Sequence, residues 1–398
     1  MKLRRLFITG ILILAVSYQK AQTNTFETVL AQLVTDCPEI QILKLTNNAT
    51  LETERALNRL NSPEVSMEHV WGRNGVGDKF DLGINQNFDW PGLYRARAQA
   101  INAQTDAFML QEQAGTIEKL QKVRAIMVDI IFQKKNMALD SMIHDHMVKL
   151  ESDALESYNK GEISKLSYKR TQLERIQTSI QLRETERILN ELYSDLSVAT
   201  GRSDSKALMS MVTDVPQWEI LDEEEYEEKL NTLDPRMAYL KATIEAVNST
   251  SKAETMAARM PSFNIGYVFQ REQGETFNGF NVALTLPIYG SNHVKNASKA
   301  NILSAQLEAQ SEQIALLSNL RTQRSAALSL AKELNDYAVI FEKGNYSELL
   351  KLALEGGETD NFHYLQELNY YIDVTRQYIE LQHQYNLALV SLNRFDGL

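Results

Sequence analysis

Cysteine is nearly absent from this chain, proline is scarce, and no second long apolar run follows the N-terminus. One cysteine, Cys37, stands among 398 residues, so no intrachain disulfide can brace the fold. Its setting, TDCPE, reads as a small buried side chain. Seven prolines leave two very long stretches free of helix breakers, one from Pro91 to Pro216 and one after Pro287. Positive charge is also short: 41 Lys and Arg against 52 Asp and Glu give a net charge of −11. The basic surface that nucleic acid demands is missing, so nucleic-acid binding is set aside. No G-x-S-x-G, P-loop, H-E-x-x-H or Cys/His pairing occurs, so neither catalysis nor a cofactor is expected.

The first 21 residues read as a secretory signal peptide. Lys2, Arg4 and Arg5 precede an apolar run from Leu6 to Val16, and small and polar residues follow up to Ala21. The leader would take four cations with it (Lys2, Arg4, Arg5 and Lys20), leaving a mature charge of −15. Beyond it no run reaches the roughly 18 apolar residues of a membrane helix. A barrel strand needs only about ten alternating residues, so a membrane is still open by that route.

What the chain does have is itself, twice. Pro91 and Pro287 are 196 residues apart, as are Gly161 and Gly357, and Gly201 and Gly397. Between the last two pairs, Glu162/Glu358, Tyr168/Tyr364, Ile176/Ile372 and Gln181/Gln377 match without a gap. Pro38/Pro235 and Pro63/Pro261 keep nearly the same offset. The expected organisation is a signal peptide at 1–21, a first repeat at 22–201, an equatorial linker at 202–221 and a second repeat at 222–398.

Each repeat has one layout. A helix starts at Pro38 or Pro235, where a missing N–H costs nothing. Two alternating strands follow. In the first repeat Val65, Met67, His69 and Trp71 share one side; so do Phe80, Leu82, Ile84, Phe88 and Trp90. In the second they are Phe263, Ile265, Tyr267 and Phe269, then Phe280, Val282, Leu284 and Leu286. GRNGVGDK and REQGETFNG read as glycine-bearing hairpin loops. From Gly92 to Lys160 a helix of about 69 residues would run roughly 100 Å. Gly161 breaks it, and a return helix of about 37 residues ends at Gly201; with the Pro38 helix stacked on its end it would match its long partner. Leu166, Leu173 and Ile180 at seven-residue spacing, with Ile176, Leu189, Leu192, Leu196 and Ala199, read as a coiled-coil seam.

Four strands cannot close a barrel, and an open apolar sheet invites aggregation. Strands must then be pooled between copies. Asp81, Asn85, Asn87, Asn264, Asn281 and Thr285 would face water, and the aromatics Trp71, Trp90 and Phe269 would mark the membrane interfaces.

With these features in view, the chain resembles the TolC-type outer-membrane factors of Gram-negative bacteria. The resemblance rests on the doubled helix–strand–strand–helix plan, on PEVSME and PSFNIG opening the strands, on INQNFDWPGLYRARAQA and VALTLPIYG closing them, and on YNKGEIS before the return helix. It implies a mainly α fold with β: long antiparallel coiled-coil helices and four barrel strands per chain. Three chains would form a homotrimer with a 12-stranded β-barrel in outer-membrane lipid and an α-helical tunnel in the periplasm. It further implies a periplasmic adaptor (membrane fusion) protein and an inner-membrane pump of the RND type as partners. FDWPGLYRARAQA leans towards the heavy-metal and cation-efflux branch. The implied function is an efflux exit duct for metal cations or small toxic compounds. A type I protein-secretion duct needs the same architecture, and a secreted coiled-coil binding protein without a pore is the reading from another class.

The resemblance also assigns the hairpins YNKGEISK and LEGGETDN as tips that meet the adaptor, with Gly161, Ser164, Gly357 and Asp360 as contact residues. Asp360, Glu367 and Asp373 are the candidate periplasmic gate. DEEEYEEKL, 222–230, reads as a solvated helix start. His144 and His146 lie two apart on a helix and so on different faces, and Asp140 with His144 gives too few ligands; no metal site is expected. Met127, Met137, Met142 and Met147 read as packing.

Overall fold

A computed structural model describes residues 25–394 apart from 36, 74, 76, 342–345 and 360. The signal peptide and Asp360 therefore lie outside the described residues. The elements are α1 (residues 25–34), α2 (Pro38–Leu57), β1 (Glu64–Val70), β2 (Lys79–Phe88), α3 (Pro91–Asn159), α4 (Lys165–Thr200), α5 (Ser205–Met209), α6 (Glu223–Leu233), α7 (Pro235–Ala257), β3 (Ser262–Glu272), β4 (Glu275–Thr285), α8 (Ser291–Phe341), α9 (Tyr346–Glu355) and α10 (Asn361–Leu392). The fold is mainly helical with one four-stranded antiparallel sheet in the order β1-β2-β3-β4.

The contacts divide into two compact units, and each draws on both halves of the sequence. One holds Ile40–Gly115 and Asn231–Leu316; the other holds the described parts of Met1–Glu39, Thr116–Leu230 and Leu317–Leu398. The first contains the sheet. Here α3 and α7 meet through Ala96, Ala100 and Ala253, with Met256 packed alongside; small side chains let helix backbones approach closely. The proline before each helix acts as expected. Pro235 starts α7 behind Asp234, whose carboxylate accepts the Arg236 N–H at 2.9 Å.

The second unit is helical. Its fully buried side chains include Phe26, Leu30, Leu33, Met127, Ile130, Ile131, Leu196, Met209, Tyr226 and Leu230, supplied by α1, the middle of α3, the end of α4, α5 and α6. Arg124 is buried there, donating to Glu27 at 2.9 Å and to the Asn393 carbonyl at 3.1 Å. Cys37 is buried against the end of α4. Two of the four methionines, Met127 and Met147, are core residues, whereas Met142 is exposed.

Three expectations need correction. The second hairpin is not a nine-residue loop: β3 runs on to Glu272, β4 begins at Glu275, and Gln273 and Gly274 turn the chain with φ of 51° and 91°. Two successive positive φ values suit the twist of a two-residue hairpin. The apolar stripe of α4 is only half a seam. Leu189, Leu196 and Ala199 are buried, but Leu166, Leu173 and Ile180 are 81%, 67% and 61% exposed. Thr171 and Thr185 are buried instead, on the same side of the helix as Leu189 and Leu196, so Leu166, Leu173 and Ile180 lie on the opposite face. Lastly, the acidic run at 222–230 is not simply solvated. Glu223 and Glu227 both pair with Arg321, at 2.9 and 2.6 Å, while Tyr226 and Leu230 are buried.

The end of α4 and the first residue of α2 meet closely. α4 ends at Gly201 in the left-handed conformation (φ +67°), and a Cβ there would lie 2.5 Å from Cγ of Pro38, which starts α2. Gly161 has a similar φ of +77° but open space around it. Gly161→Ala should therefore cost about 1 kcal/mol of stability, from backbone strain alone. Gly201→Ala adds a clash with a rigid ring and should cost about 2–4 kcal/mol. Urea denaturation followed by helical circular dichroism measures the difference; equal losses would show that the joint does not bear on stability.

Candidate functional site

The sheet register sorts the side chains into two faces. Glu64, Asn85, Gly266 and Asn281 form one row across the strands, and Val65, Ile84, Tyr267 and Phe280 form the next. Continuing the alternation, Asp81, Asn85, Asn87, Asn264, Asn281 and Thr285 all share the first face. Asn264 donates to Asn87 at 2.7 Å on it. The face is crowded at its middle, where a Cβ on Gly266 would meet the amide oxygens of Asn85 and Asn281 at 2.0 and 2.1 Å. Met67, Leu82 and Phe269 share the opposite face, as do Phe88 and Phe263, whose rings stack at 5.3 Å.

Trp71 follows β1 at the hairpin-loop end, stacked on His69 and 75% exposed. Trp90 follows β2 at the other end, also exposed. Phe269 pairs with Leu82, three residues inside the end of β3. β2 has ten residues; at about 3.4 Å each and a barrel tilt of roughly 40°, that is close to the 25 Å height of an outer-membrane apolar band.

The tips lie in the helical unit. At the first, Gly161 donates to the Tyr158 carbonyl at 3.0 Å and Glu162 to the Ser157 carbonyl at 2.9 Å. This paired closure satisfies two carbonyls that the end of α3 would otherwise leave open. Ser164 caps α4, its Oγ accepting the Ser167 N–H at 3.1 Å. The stacked rings of Tyr158 and Tyr168 join the two helices. The second tip repeats the device: Gly357 has φ +73°, and Glu358 donates to the Ala353 carbonyl at 2.9 Å. Of the gate candidates, Glu367 and Asp373 are exposed on α10. Glu367 accepts the Tyr346 hydroxyl at 2.7 Å, a bond that pushes the Tyr346 pKa up.

His144 and His146 do point apart. His144 meets Thr178 of α4 at 3.3 Å, and His146 meets the Tyr364 hydroxyl of α10 at 2.5 Å. Burial pushes the Tyr364 phenol up. Among the described residues no group of three His, Cys, Asp or Glu is placed to hold a metal.

Sequence reasoning passed over the use of Asp140. It is 4% exposed on α3, accepts the Thr185 hydroxyl of α4 at 2.5 Å and the Arg376 guanidinium of α10 at 2.5 Å. The three side chains clasp three helices beside a cavity of about 710 Å³ that Gln133, Asp336 and Glu380 also line. Only the acid at a helix interior position hinted at it; its partners lie 45 and 236 residues away.

Solved structures share this architecture. The CmeC outer membrane channel of Campylobacter jejuni superposes with a TM-score of 0.76 at 13% identity, covering 94% of this chain and 86% of its own. The chain has the TolC-type outer-membrane-factor fold. A membrane protein of Pseudomonas aeruginosa gives 0.75 at 14% identity over 93% of both chains, and the open MtrE outer membrane channel of Neisseria gonorrhoeae gives 0.70 at 12% over 94% and 88%. By sequence, no family model and no curated protein matches.

Arg376→Met strands a buried carboxylate and should lower stability by about 3–5 kcal/mol. Adding Asp140→Leu should restore most of it. Thermal melting of the purified variants reads both, and a double variant no better than the single would refute the clasp.

Proposed function

We propose that the chain is one subunit of a homotrimeric exit duct in the outer membrane, passing cargo from an inner-membrane pump and a periplasmic adaptor to the exterior. The sheet carries this reading. It has an apolar face, a polar face and two free edges, and its outer strands β1 and β4 are exposed at every residue. Exposed backbone edges are intolerable in lipid. Four strands fall short of the roughly eight of the smallest membrane barrel. Three copies supply twelve, with the polar face around a water-filled lumen and Trp71, Phe269 and Trp90 at the interfaces. The uncovered Leu166–Leu173–Ile180 stripe fits a chain completed by its neighbours.

The similar solved proteins are outer membrane channels, which supports the same role here. The sequence resemblance supports the finer assignments: repeats at 22–201 and 222–398, an RND-type pump, cargo of metal cations or small toxic compounds, and tips at Gly161, Ser164, Gly357 and Asp360 that meet the adaptor. Glu367 and Asp373, with Asp360, are proposed to ring the periplasmic aperture. Cargo passes unchanged, so the duct itself performs no bond chemistry.

Detergent-purified protein should give discrete conductance steps in a planar bilayer, and recovery solely as a soluble periplasmic monomer would refute the duct. Gly161→Pro or Gly357→Pro should abolish export in a deletion strain while leaving insertion and conductance intact; normal export in both would remove the assigned role of the tips.

A further inference from the structure

At the end of the sheet marked by Trp90, α7 leads into β3 and α8 leaves β4. A cleft of about 380 Å³ opens there between the two helices. Four cations line it: Lys252 and Arg259 from the α7 side, Lys295 and Lys299 from α8. No carboxylate lines it, and none of the four is ion-paired among the described residues. This is against the grain of an acidic chain, in which acids outnumber cations by 52 to 41. All four cations are exposed.

Besides the cations, its lining combines the apolar Met256, Met260 and Ile302 with the polar Asn248, Ser251, Thr255 and Ser298. Met256 and Ile302 line it and are half-buried. Below them Thr255 and the buried Ser298 hydrogen-bond at 3.3 Å, tying α7 to α8. Met256 also fixes the depth of the cleft. Its sulfur and the Trp90 indole both come within 4 Å of the position of a Cβ on Gly92, so the cleft lies at the level of the lower aromatic. A cationic rim over an apolar wall, beside an interfacial tryptophan, has the chemistry of an anionic amphiphile's binding site.

We propose that this cleft binds an anionic phospholipid of the inner leaflet, its phosphate among Lys252, Arg259, Lys295 and Lys299 and its upper acyl segment against Met256 and Met260 on the side towards the sheet. The inference rests on the barrel reading, because only that reading sets the end of the sheet at a lipid headgroup layer. The bound lipid's negative charge would ease the mutual repulsion of the four cations, and the lipid would fix the vertical position of the barrel.

The test uses the full-length mature protein in detergent, with dioleoyl-phosphatidylglycerol and dioleoyl-phosphatidylcholine offered together and retained lipid read by native mass spectrometry. Wild type should retain phosphatidylglycerol preferentially. The pairs Lys252→Gln with Arg259→Gln, and Lys295→Gln with Lys299→Gln, should each weaken that retention roughly ten- to thirtyfold. Planar-bilayer conductance is recorded on the same samples. Conducting protein that holds both lipids equally, or holds phosphatidylglycerol equally in wild type and variants, overturns the lipid site and leaves the duct intact. Displacement of the lipid by inorganic phosphate would make the cleft a site for free anions and overturn the assignment. Variants that lose their oligomeric state would show that a second copy's carboxylates fill the cleft, which also overturns it. Protein that neither inserts nor conducts refutes the duct, and the lipid site with it.

Discussion

An unpaired sheet edge is the constraint on which the rest of this structure turns. Each free edge presents a row of N–H and C=O groups that must find partners, and water can supply them only where water reaches. Here the edges flank strands whose alternate residues are Val65, Met67, Phe280 and Val282. The apolar face calls for lipid or protein cover while the backbone calls for hydrogen bonds. Ring closure with further copies meets both demands at once, which neither a soluble monomer nor an isolated membrane sheet can do.

Helix pairing meets a related difficulty in another way. The long α3 needs neighbours along its whole length, yet α4 has only 36 residues. The end of α4 at Gly201 lies against Pro38, the first residue of α2. A left-handed glycine lets one helix stop abruptly and a proline lets the other begin without an orphan donor. Further along, a packed apolar seam gives way to the Asp140–Thr185–Arg376 clasp. A buried charge cluster adds little net stability over an apolar core, but it penalises misalignment of its three helices severely.

Much of this was legible in the sequence because it is written in period and punctuation. The alternation of Val65–Trp71 and Phe80–Trp90 fixed both the strands and the side on which each polar residue lies. Proline and glycine spacing gave the length of α3 and the position of both tips. Long-range choices were not legible. Nothing local says that Thr185 rather than Leu173 faces the chain's own core, since a leucine stripe looks alike whether its partner is the same chain or another. Asp140 reads as an ordinary helix acid until Arg376 is brought beside it. The tight turn at Gln273–Gly274 was missed because QG is a weaker signal than NG or DG for paired positive φ values.

The two halves are not interchangeable, and the difference is physical. Eight residues separate β1 from β2 in the chain, whereas two separate β3 from β4. A doubled chain in a threefold ring would give six similar helical hairpins of two kinds in alternation. Such a ring keeps pseudo-sixfold packing in its walls while offering a docking partner two distinct kinds of tip. Identical repeats could supply the walls equally well. In such a ring the divergence between Ser164, capping α4 beside the stacked Tyr158 and Tyr168, and the Gly356–Gly357 pair of the second hairpin would have its consequence where the assembly meets something other than itself.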